Sequence, residues 1–371
     1  MIKPRILQIV RPVEGGILIH LKNLLKHLAD DFTFTVACPF EMAAEFESAA
    51  ADVFPLTLGR RLEPYRDMIA VGRLAKLIKR DNFVLVHAHG FKAGLVARPA
   101  ARIGRVPCLV TIHNDFAGAK ASRLRPLYYT AERWLSRWTT GYVTVSEWLA
   151  GELAEELGIS TSIKVIPNGI ALGARQCETE LPFPPEQPVV ATVARLARQK
   201  GVEFFIRAAA QLALNYPELR FLVVGDGPLR PKLESLAAAL GLGERLFFMG
   251  YRHDVPAILA RLTVYVQPSL SEGQGITVLE AMAADCPVVA SAAGGLRELV
   301  RHGKNGILVE PGSVGGLVDA VSSVLNDPLL AERLRAGALD SVGGFEIAGM
   351  IDKTRSLYQS VMDGRWPHEV F

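Results

Sequence analysis

Glu272 and Glu280 stand in the segment of the chain with the clearest potential for chemistry. Gly273 and Gly275 keep Glu272 on a loop, whereas the residues from Ile276 have the composition of a helix, which places Glu280 in its first turns. Eight residues of helix span roughly 12 Å at ~1.5 Å per residue, a length comparable to a ribose-diphosphate-sugar unit. The spacing favours a site in which Glu280 binds ribose hydroxyls, Glu272 binds a sugar, and the N–H groups of residues 275 to 277 bind the diphosphate. The alternative interpretation is an exposed charge on a capped helix.

Two cations follow another predicted strand. Arg195 and Lys200 lie in the connection between that strand and an amphipathic helix. A planar guanidinium fork combined with a mobile ammonium group suits a diphosphate leaving group, although a solvated basic loop explains the same residues. The later Gly225-Asp226-Gly227-Pro228 lacks the full G-x-G-x-x-G order, so a nicotinamide site is only weakly indicated.

The first half of the chain carries a paired glycine and two histidines at the ends of predicted strands. Gly15 and Gly16 precede the amphipathic segment Ile17–Leu28, where paired glycines let backbone approach a ligand and the helix directs N–H groups at an anion. A tight strand-to-helix turn is the alternative. We interpret His87 as structural, and His113, which has polar neighbours, as able to hydrogen-bond a sugar hydroxyl or polarise a reacting group.

The composition is that of a two-domain enzyme. The 371 residues, 50% hydrophobic and 21% charged, are enough for two α/β domains that each bury a core. The four cysteines, at 38, 108, 177 and 286, are too scattered for a zinc site and predict thiols in a reducing compartment. Residues 1–168 hold 22 Lys+Arg against 16 Asp+Glu, a net charge of +6, whereas residues 169–371 hold 19 against 22, a net charge of −3. The first half is therefore the one suited to an anionic surface.

Short β-branched runs alternate with segments of helical period, which predicts βαβ units and two doubly wound parallel sheets. The predicted strands of the first sheet are Arg5–Val10, Phe32–Ala37, Val84–Ala88, Leu109–Ile112, Tyr142–Val145 and Lys164–Ile166. Those of the second are Val189–Val193, Arg220–Val224, Arg245–Met249, Val264–Gln267, Val288–Ala290 and Ile307–Val309. Ligands of such sheets bind beyond the carboxyl ends of the strands, where the polar residues described above are found.

A proline-containing segment, residues 169–188, separates the two predicted sheets and is typical of a linker. The predicted domains are an N-terminal Rossmann-like domain with linker at 1–180 and a C-terminal nucleotide-sugar-binding domain at 181–344. Residues 345–371 are predicted to form a helix that packs back across the domain interface, with Ile351, Leu357 and Val361 on one side.

In this order, the motifs resemble those of the retaining glycosyltransferases of group 1, or family 4, and the likeness covers nearly the whole chain. It rests on Gly15-Gly16, Thr111-Ile112-His113, Val145-Ser146, Val165-Ile166-Pro167-Asn168-Gly169, Arg195 with Lys200, Gly225-Asp226-Gly227-Pro228, Glu272 to Glu280, Gly294-Gly295 and Gly303-Lys304-Asn305-Gly306-Ile307-Leu308-Val309. The resemblance implies the α/β fold called GT-B, in which two Rossmann-like domains face each other across a cleft where the reaction takes place.

The resemblance also implies roles for individual residues. The implied catalytic residues are His113, Glu272, Arg195 and Lys200, with His113 and Glu272 at the transferred sugar and the two cations at the diphosphate. The implied donor-binding residues are Gly15, Gly16, Tyr251, Arg252, Gly273, Gln274, Gly275, Ile276, Thr277 and Glu280. The chain departs from the family at Ala171, where an aspartate often follows Asn-Gly-Ile, and at Gln274, where an aromatic residue is frequent. The second departure bears on the choice of sugar.

The expected reaction is transfer of a hexose-type sugar from a nucleotide-diphosphate donor to a hydroxyl of a glycan or lipid-linked glycan, in the synthesis of an envelope or exported polysaccharide. The family suggests retention by same-face attack, in which the departing diphosphate helps to deprotonate the acceptor. We expect no metal and no other cofactor, because no Asp-x-Asp motif occurs in the chain. The alternatives are a nucleotide-sugar 2-epimerase of the same architecture and an inactive sugar-nucleotide-binding protein.

The expected location is the cytoplasm, with peripheral binding to the inner face of the membrane as a further possibility. Basic and aromatic residues alternate from Lys120 through Arg123, Arg125 and Arg133 to Trp138, a pattern that can place a helix on anionic lipid. A helix that packs in the core and leaves its basic face in solvent explains the same residues and is the preferred interpretation of this segment. No nucleic-acid-binding module accompanies the basic residues, so nucleic acid is not an expected partner.

Overall fold

The computed structural model describes residues 3–47, 51–59, 62–114, 125–158, 162–172 and 179–366, except for the side chains of residues 125–128 and 156–157. The chain divides into two compact units. The first comprises Met1–Gly169 together with Ile347–Phe371, and the second comprises Ile170–Glu346. The chain therefore leaves the first unit after Gly169 and returns to it at Ile347, whereas the predicted boundaries follow residues 180 and 344.

The first unit contains a seven-stranded parallel sheet in the order β3-β2-β1-β4-β5-β6-β7. Its strands are β1 (Arg5–Val10), β2 (Thr33–Cys38), β3 (Asp52–Pro55), β4 (Leu85–His89), β5 (Cys108–Ile112), β6 (Gly141–Thr144) and β7 (Ile163–Val165). Its helices up to β7 are α1 (Gly16–His27), α2 (Ala43–Glu47), α3 (Pro64–Asp81), α4 (Phe91–Gly104), α5 (Arg125–Ser136) and α6 (Glu147–Leu157).

The second unit contains a six-stranded parallel sheet in the order β10-β9-β8-β11-β12-β13. Its strands are β8 (Val189–Val193), β9 (Arg220–Val224), β10 (Leu246–Gly250), β11 (Val264–Gln267), β12 (Val288–Ser291) and β13 (Ile307–Val309). Its helices are α7 (Val202–Asn215), α8 (Arg230–Ala239), α9 (Val255–Leu259), α10 (Ile276–Ala283), α11 (Leu296–Leu299), α12 (Val314–Asn326) and α13 (Pro328–Val342).

The last helix, α14 (Ile347–Met362), completes the first unit. It buries Met350, Ile351, Leu357, Tyr358 and Val361 in the same apolar cluster as the leucines of α1 and the residues of β1 and β2 that face it. The apolar side predicted from the sequence is thus the side that packs. Because α14 packs on the first sheet, the first unit is built from two stretches of chain that are far apart in sequence.

Local sequence explains where several helices begin. Ser146 accepts a hydrogen bond from the N–H of Leu149 (3.2 Å) at the start of α6, and Ser313 accepts one from Gly316 (3.1 Å) at the start of α12. These side-chain caps satisfy N–H groups that have no partner within the helix. Strands such as β4, β5 and β8 are buried along their whole length, as expected of parallel strands with both faces covered.

The two parallel sheets confirm the predicted fold class. Each predicted strand is present, with its ends within one residue of the prediction. The additional strand β3 was not predicted, because Asp52 and Pro55 at its ends are exposed and the strand has no buried run. It lies at the edge of the first sheet, where one side has no neighbouring strand.

Among the described helices, none combines the length and the apolar character that a bilayer-spanning segment requires. Cys38, Cys108 and Cys286 are buried and unbridged, and Cys177 lies outside the described residues.

Candidate functional site

The loops that follow four strands of the second sheet are bonded to one another at its carboxyl edge. The loop after β8 is bonded to the loops after β9 and β11, and the loop after β11 is bonded to the one after β12. The bonds are Leu196 N to Asp226 O (2.9 Å), Leu270 N to Gln199 O (2.8 Å) and Gly295 N to Glu272 O (3.1 Å). Predicted site residues from separate parts of the chain are therefore held in one layer.

Lys200 and Glu272 form an ion pair within this layer. The ammonium group of Lys200 donates to Glu272 Oε2 over 2.6 Å, and the Glu272 side chain is only 8% exposed. Ser269 Oγ (3.2 Å) and Gln267 Nε2 (3.3 Å) donate to the same oxygen. Each described hydrogen bond to the side chain of Glu272 reaches Oε2, which leaves Oε1 able to accept from a ligand.

Three polar residues beneath Glu272 were not predicted from the sequence. Gln267 donates to Ser269 Oγ (2.7 Å), and the hydroxyl of Tyr265 donates to Gln267 Oε1. All three are buried, and the ionised forms of Glu272 and Glu280 add to burial in raising the pKa of Tyr265 well above its ordinary value. Polar residues at the end of an otherwise apolar strand and directly after it are the sequence signal that could have identified them.

The N-terminus of α10 lies four residues after Glu272. Gly275 precedes it with a φ of 99°, and a Cβ at this position would lie 2.5 Å from Leu296 Cδ2. The hydrogen bonds of the helix start with Val278 N and Leu279 N, which both donate to Gly275 O (3.0 and 3.3 Å). The N–H groups of Ile276 and Thr277 precede this ladder, and such groups form an anion-binding position at a helix N-terminus.

Glu280 lies in the second turn of α10 and is half-buried. Burial raises its pKa to about 7 from the ordinary value of 4.5. The carboxyl group therefore changes its charge near neutral pH, which is a property of groups with limited access to water. Hydroxyl donors from a ligand would stabilise its ionised form.

The other predicted residues of the second unit differ in their surroundings. Arg195 is half-buried in the loop after β8, and Gln274 is buried. Tyr251 is exposed and packs edge-on against His253, with ring centroids 4.9 Å apart. Arg252 donates to both carboxylate oxygens of Asp254 (2.8 and 2.5 Å), so its guanidinium group is already bonded within the protein.

Gly15, Gly16 and His113 belong to the first unit. Gly15 directly precedes α1, and no heavy atom lies within 4 Å of the position that a Cβ would occupy there. Gly16 is the first residue of α1, so the paired glycine predicts the start of this helix correctly. A small ligand group can approach the backbone closely at such a position.

His113 follows β5 and is surrounded by other imidazoles. His89 Nδ1 lies 3.2 Å from His113 Nε2, and His20 of α1 meets His113 edge-on, with ring centroids 4.8 Å apart. Burial lowers the pKa of His20 to about 4, partly offset by a hydrogen bond with Asn168, and lowers the pKa of His113 and His89 well below the ordinary value. At pH 7 all three rings are neutral.

His20, His89 and His113 are also a group of possible metal ligands, since their nitrogens lie within 4.8 Å of one another. The rings of His89 and His113 are 23° from coplanar, with centroids 5.5 Å apart. The centroid separation exceeds the 3.2 Å distance between His89 Nδ1 and His113 Nε2 by about two ring radii. These two nitrogens therefore lie close to the line that joins the ring centroids. Two nitrogens that face each other in this way form an N–H···N hydrogen bond, in which one carries the proton and the other accepts it, rather than converging on an ion.

Comparisons with known proteins agree with these features. The family model described as "Glycosyltransferase Family 4" matches residues 14–173, and the model described as "Glycosyl transferases group 1" matches residues 176–340. The chain is 31% identical to the UDP-Gal:alpha-D-GlcNAc-diphosphoundecaprenol alpha-1,3-galactosyltransferase of Escherichia coli, over 82% of each chain. It is 36% identical to the 2-deoxystreptamine glucosyltransferase of Streptomyces kanamyceticus, over 76% of this chain and 79% of that one.

Solved structures show the same fold. Sucrose-phosphate synthase from Thermosynechococcus elongatus superposes with a TM-score of 0.82 at 22% identity, covering 98% of this chain and 100% of the other. HepE of Anabaena, in complex with UDP and glucose, superposes with a TM-score of 0.81 at 23% identity, covering 96% and 100%. These likenesses identify the fold as GT-B.

Proposed function

Because the chain belongs to the group 1, family 4 glycosyltransferases, we propose that it transfers a hexose-type sugar from a nucleotide-diphosphate donor to an acceptor hydroxyl, with retention of the anomeric configuration. The observation that carries this proposal is the carboxyl edge of the second sheet. There the Lys200–Glu272 pair lies in hydrogen-bonded loops, and the helix α10, with its N-terminus and the half-buried Glu280, follows directly after Glu272. The groups of a sugar nucleotide each have a counterpart here. Glu272 suits the sugar hydroxyls, Lys200 and the N–H groups at the start of α10 suit the diphosphate, and Glu280 suits the ribose hydroxyls.

Binding of the donor would separate the Lys200–Glu272 ion pair and give each side chain a new partner on the ligand. Lys200 and Arg195 bind the diphosphate together with the N–H groups of Ile276 and Thr277, and Glu272 accepts from hydroxyls of the transferred sugar. The donors that already hold Oε2 of Glu272 keep its carboxylate fixed when Lys200 turns to phosphate. Glu280 accepts from the ribose hydroxyls, and the backbone near Tyr251 and Arg252 meets the base.

The leaving group carries most of the charge that develops during transfer. Arg195, Lys200 and the positive end of α10 stabilise the departing diphosphate, and a phosphate oxygen takes the proton of the acceptor hydroxyl on the same face. Glu272 is held by three donors and serves sugar hydroxyls, so it is not assigned as a nucleophile. No metal has a role in this scheme, since cationic side chains are present for the phosphates and the chain lacks Asp-x-Asp.

The proposed acceptor is a glycan or a lipid-linked glycan of an envelope or exported polysaccharide. The Escherichia coli relative is named for a diphosphoundecaprenol-linked acceptor, which supports this class. The Streptomyces relative is named for 2-deoxystreptamine, so the family model alone does not select the acceptor.

Two measurements test the proposed reaction. Protection against thermal unfolding by UDP-, GDP- and ADP-sugars identifies the donor, and NMR of the product formed from that donor reports the anomeric configuration. An inverted product would refute retention. Conversion of the donor to its 2-epimer without acceptor would favour an epimerase, and binding without turnover for every acceptor class would favour an inactive binding protein.

Substitution of Glu272 tests the assigned site. We expect Glu272→Gln to lower kcat/KM roughly tenfold to a hundredfold, because a hydrogen bond to a charged group contributes about 1.5 to 3 kcal/mol. Glu218→Gln, at an exposed position of the same unit, is the matched control and should retain full activity. Equal activity of the two variants would contradict the assignment of Glu272.

We further propose peripheral binding of the first unit to an anionic membrane. Residues 115–124, which include Lys120 and Arg123 of the predicted basic segment, lie outside the described residues. The described part supplies Trp134, which is exposed on α5 and packs against Trp138. On α3, Tyr65 and Met68 are 75% and 70% exposed, and Lys76 and Lys79 continue the exposed face. Aromatic and apolar groups beside lysines are typical of helices at an anionic lipid surface.

Vesicle binding tests this surface. Replacing Tyr65 and Met68 by serine should weaken sedimentation with vesicles that contain anionic lipid, because these side chains would no longer enter the interface. The control replaces Leu214 and Leu329, which are 82% and 76% exposed in the second unit, and should bind like wild type. Unchanged binding of the Tyr65 and Met68 variant, or equal loss in the control, would exclude α3 as the binding surface.

A further inference from the structure

A chain of buried hydrogen bonds links α14 to His113 through the central strands of the first sheet. His113 Nε2 lies 3.2 Å from His89 Nδ1, and His89 Nε2 lies 2.9 Å from Gln8 Oε1. Gln8 Nε2 donates to the hydroxyl of Tyr358 over 3.1 Å. The same hydroxyl lies 2.6 Å from His87 Nδ1, and His87 Nε2 lies 2.6 Å from Thr111 Oγ1. All of these residues are buried.

The register of the sheet places these side chains on one face. Gln8 of β1 is paired with His87 of β4, and His89 is paired with Thr111 of β5. Residues paired in parallel strands point to the same side, and residues two apart along a strand do so as well. This face is the one that α1 and α14 cover, which brings Tyr358 onto Gln8 and His87.

The bonds have a direction because each neutral imidazole carries a single proton. Burial lowers the pKa of His87 to about 3 and holds the pKa of His89 and His113 well below the ordinary value. Gln8 Oε1 accepts, so His89 carries its proton on Nε2 and its Nδ1 must accept in turn. His113 therefore carries its proton on Nε2. On the other branch, the Tyr358 hydroxyl accepts from Gln8 and donates to His87 Nδ1, so His87 Nε2 donates to Thr111.

We propose that Tyr358, Gln8 and His89 are positioning residues that fix the tautomer of His113 and present its Nδ1 lone pair to the substrate. The linear arrangement of the His89 and His113 nitrogens also fixes the orientation of the His113 ring. No described hydrogen bond reaches His113 Nδ1, so this atom accepts from a ligand hydroxyl and does not donate. The role toward the sugar rests on the proposed function, whereas the tautomer does not.

The tautomer can be measured directly on the full chain. Nitrogen chemical shifts of ¹⁵N-histidine-labelled protein distinguish a ring nitrogen that carries a proton from one that carries a lone pair, and His113→Gln assigns the His113 signals. We expect the proton of His113 on Nε2. A proton on Nδ1 would overturn the proposal. It would require the Gln8 amide to be flipped, so that donor and acceptor are exchanged in every hydrogen bond between Tyr358 and His113.

Substitutions along the chain test whether it sets this tautomer. Tyr358→Phe removes the group that orients the Gln8 amide, and His89→Leu removes the acceptor, so both should shift His113 to a mixture of tautomers. His89→Asn keeps an acceptor at the place of Nδ1 and should restore the wild-type signals. Ser360→Ala is the matched control, since it removes a buried hydroxyl from α14 that has no partner among the described residues. If the His113 signals of both Tyr358→Phe and His89→Leu match those of wild type, the hydrogen-bond chain does not set the tautomer and the proposal is refuted. If the leucine variant does not fold, the signals of Tyr358→Phe alone decide the question.

Activity then separates this proposal from the proposed function. We expect Tyr358→Phe to lower kcat/KM roughly fivefold to tenfold, about the worth of one hydrogen bond, and Ser360→Ala to leave it unchanged. If Tyr358→Phe shows a mixture of His113 tautomers and full activity, the hydrogen-bond chain is supported but the role of His113 at the sugar is contradicted. If Tyr358→Phe keeps the wild-type tautomer of His113 but loses activity, the positioning role of the hydrogen-bond chain is overturned, whereas the role of His113 at the sugar still stands.

Discussion

Glu272 lies in the loop before α10 and Glu280 lies in α10 itself, and the two carboxyl groups differ in what compensates their charge. Glu272 is paired with Lys200 at 2.6 Å and accepts from two further donors. Burial raises the pKa of Glu280 to about 7, and no ion pair of the described residues includes it. The Glu272 carboxylate therefore has a cation and two neutral donors beside it, whereas the carboxyl group of Glu280 becomes fully ionised only above about pH 7.

The raised pKa of Glu280 predicts a pH-dependent loss of stability. The folded chain keeps a proton that the unfolded chain releases at the ordinary value of 4.5, so the free energy of unfolding falls as pH rises from 4.5 to about 7. Glu280→Gln removes this titration. We expect the variant to match wild type near pH 4.5 and to be more stable by ~1 to 3 kcal/mol at pH 8, in urea unfolding at both pH values. Glu218→Gln should show no such divergence, and a constant offset across pH would contradict the raised pKa.

The Lys200–Glu272 pair predicts coupling between the two side chains. Lys200→Met leaves the largely buried carboxylate of Glu272 with neutral donors and should reduce the free energy of unfolding by ~1 to 3 kcal/mol at pH 7. Combining it with Glu272→Gln should recover part of this loss. A double-mutant cycle measured by urea unfolding gives the coupling energy, and a value near zero would show that the pair has no stabilising role without donor.

At the scale of elements, the sequence predicted what local patterns determine. Buried apolar runs define strands such as β8 and β11 to the residue, because both faces of these strands are covered. The exposed edge strand β3 has no such run and was missed. The polar residues Gln8, His87 and Tyr358 were not recognised as one group, since they come from different elements and meet only through strand order and the return of α14.

The candidate site shows the same division. Glu272, Lys200 and Gly275 were predicted as site residues because each follows a predicted strand or starts a helix, where ligands are expected. Gln267 and Ser269 also hold Glu272 in place, but Gln267 is the last residue of β11 and Ser269 lies two residues beyond it, and nothing in the local pattern indicates that they reach Glu272. Arg252 was predicted as donor-binding on family likeness, and its bond to Asp254 depends on the course of the loop after β10, which local sequence does not determine.

The loop after β8 predicts a large effect of one added methyl group. Gly201 has a φ of 61°, and a Cβ there would lie 2.1 Å from the carbonyl oxygen of Pro268, in the loop that leads to Glu272. Gly241 has a similar φ of 70° but no heavy atom within 4 Å of that position. Both alanine variants carry the backbone strain of about 1 to 2 kcal/mol, and only Gly201→Ala must also move the loop. We expect Gly201→Ala to be the less stable by at least ~2 kcal/mol in urea unfolding and to bind donor more weakly, whereas equal stability would show that the loop contact is soft.

At the scale of the whole molecule, each unit has its own sheet and its own apolar clusters. The clusters of the first unit lie around β1, β4 and β5, and those of the second lie around β8, β9 and β11. The loops proposed above to bind the diphosphate and ribose of the donor belong to the second unit, whereas Gly15 and Gly16 belong to the first. Loss of packing in the first unit should therefore leave nucleotide binding to the second unit in place.

A buried ion pair of the first unit provides the means to test this independence. Arg98 of α4 donates to Glu132 of α5 over 2.7 Å, with side chains 0% and 3% exposed, and Glu132→Ala leaves the cation buried without its partner. Breaking such a pair typically costs about 3 to 5 kcal/mol, whereas replacing both members by Met and Leu is often tolerated. Hydrogen exchange read by mass spectrometry should show faster exchange of β4 and β5 in Glu132→Ala, with recovery in the Arg98→Met and Glu132→Leu double variant. A nucleotide diphosphate should protect residues 194–201 and 272–281 equally in wild type and in Glu132→Ala, and loss of this protection would show that the two units are not independent in binding the donor.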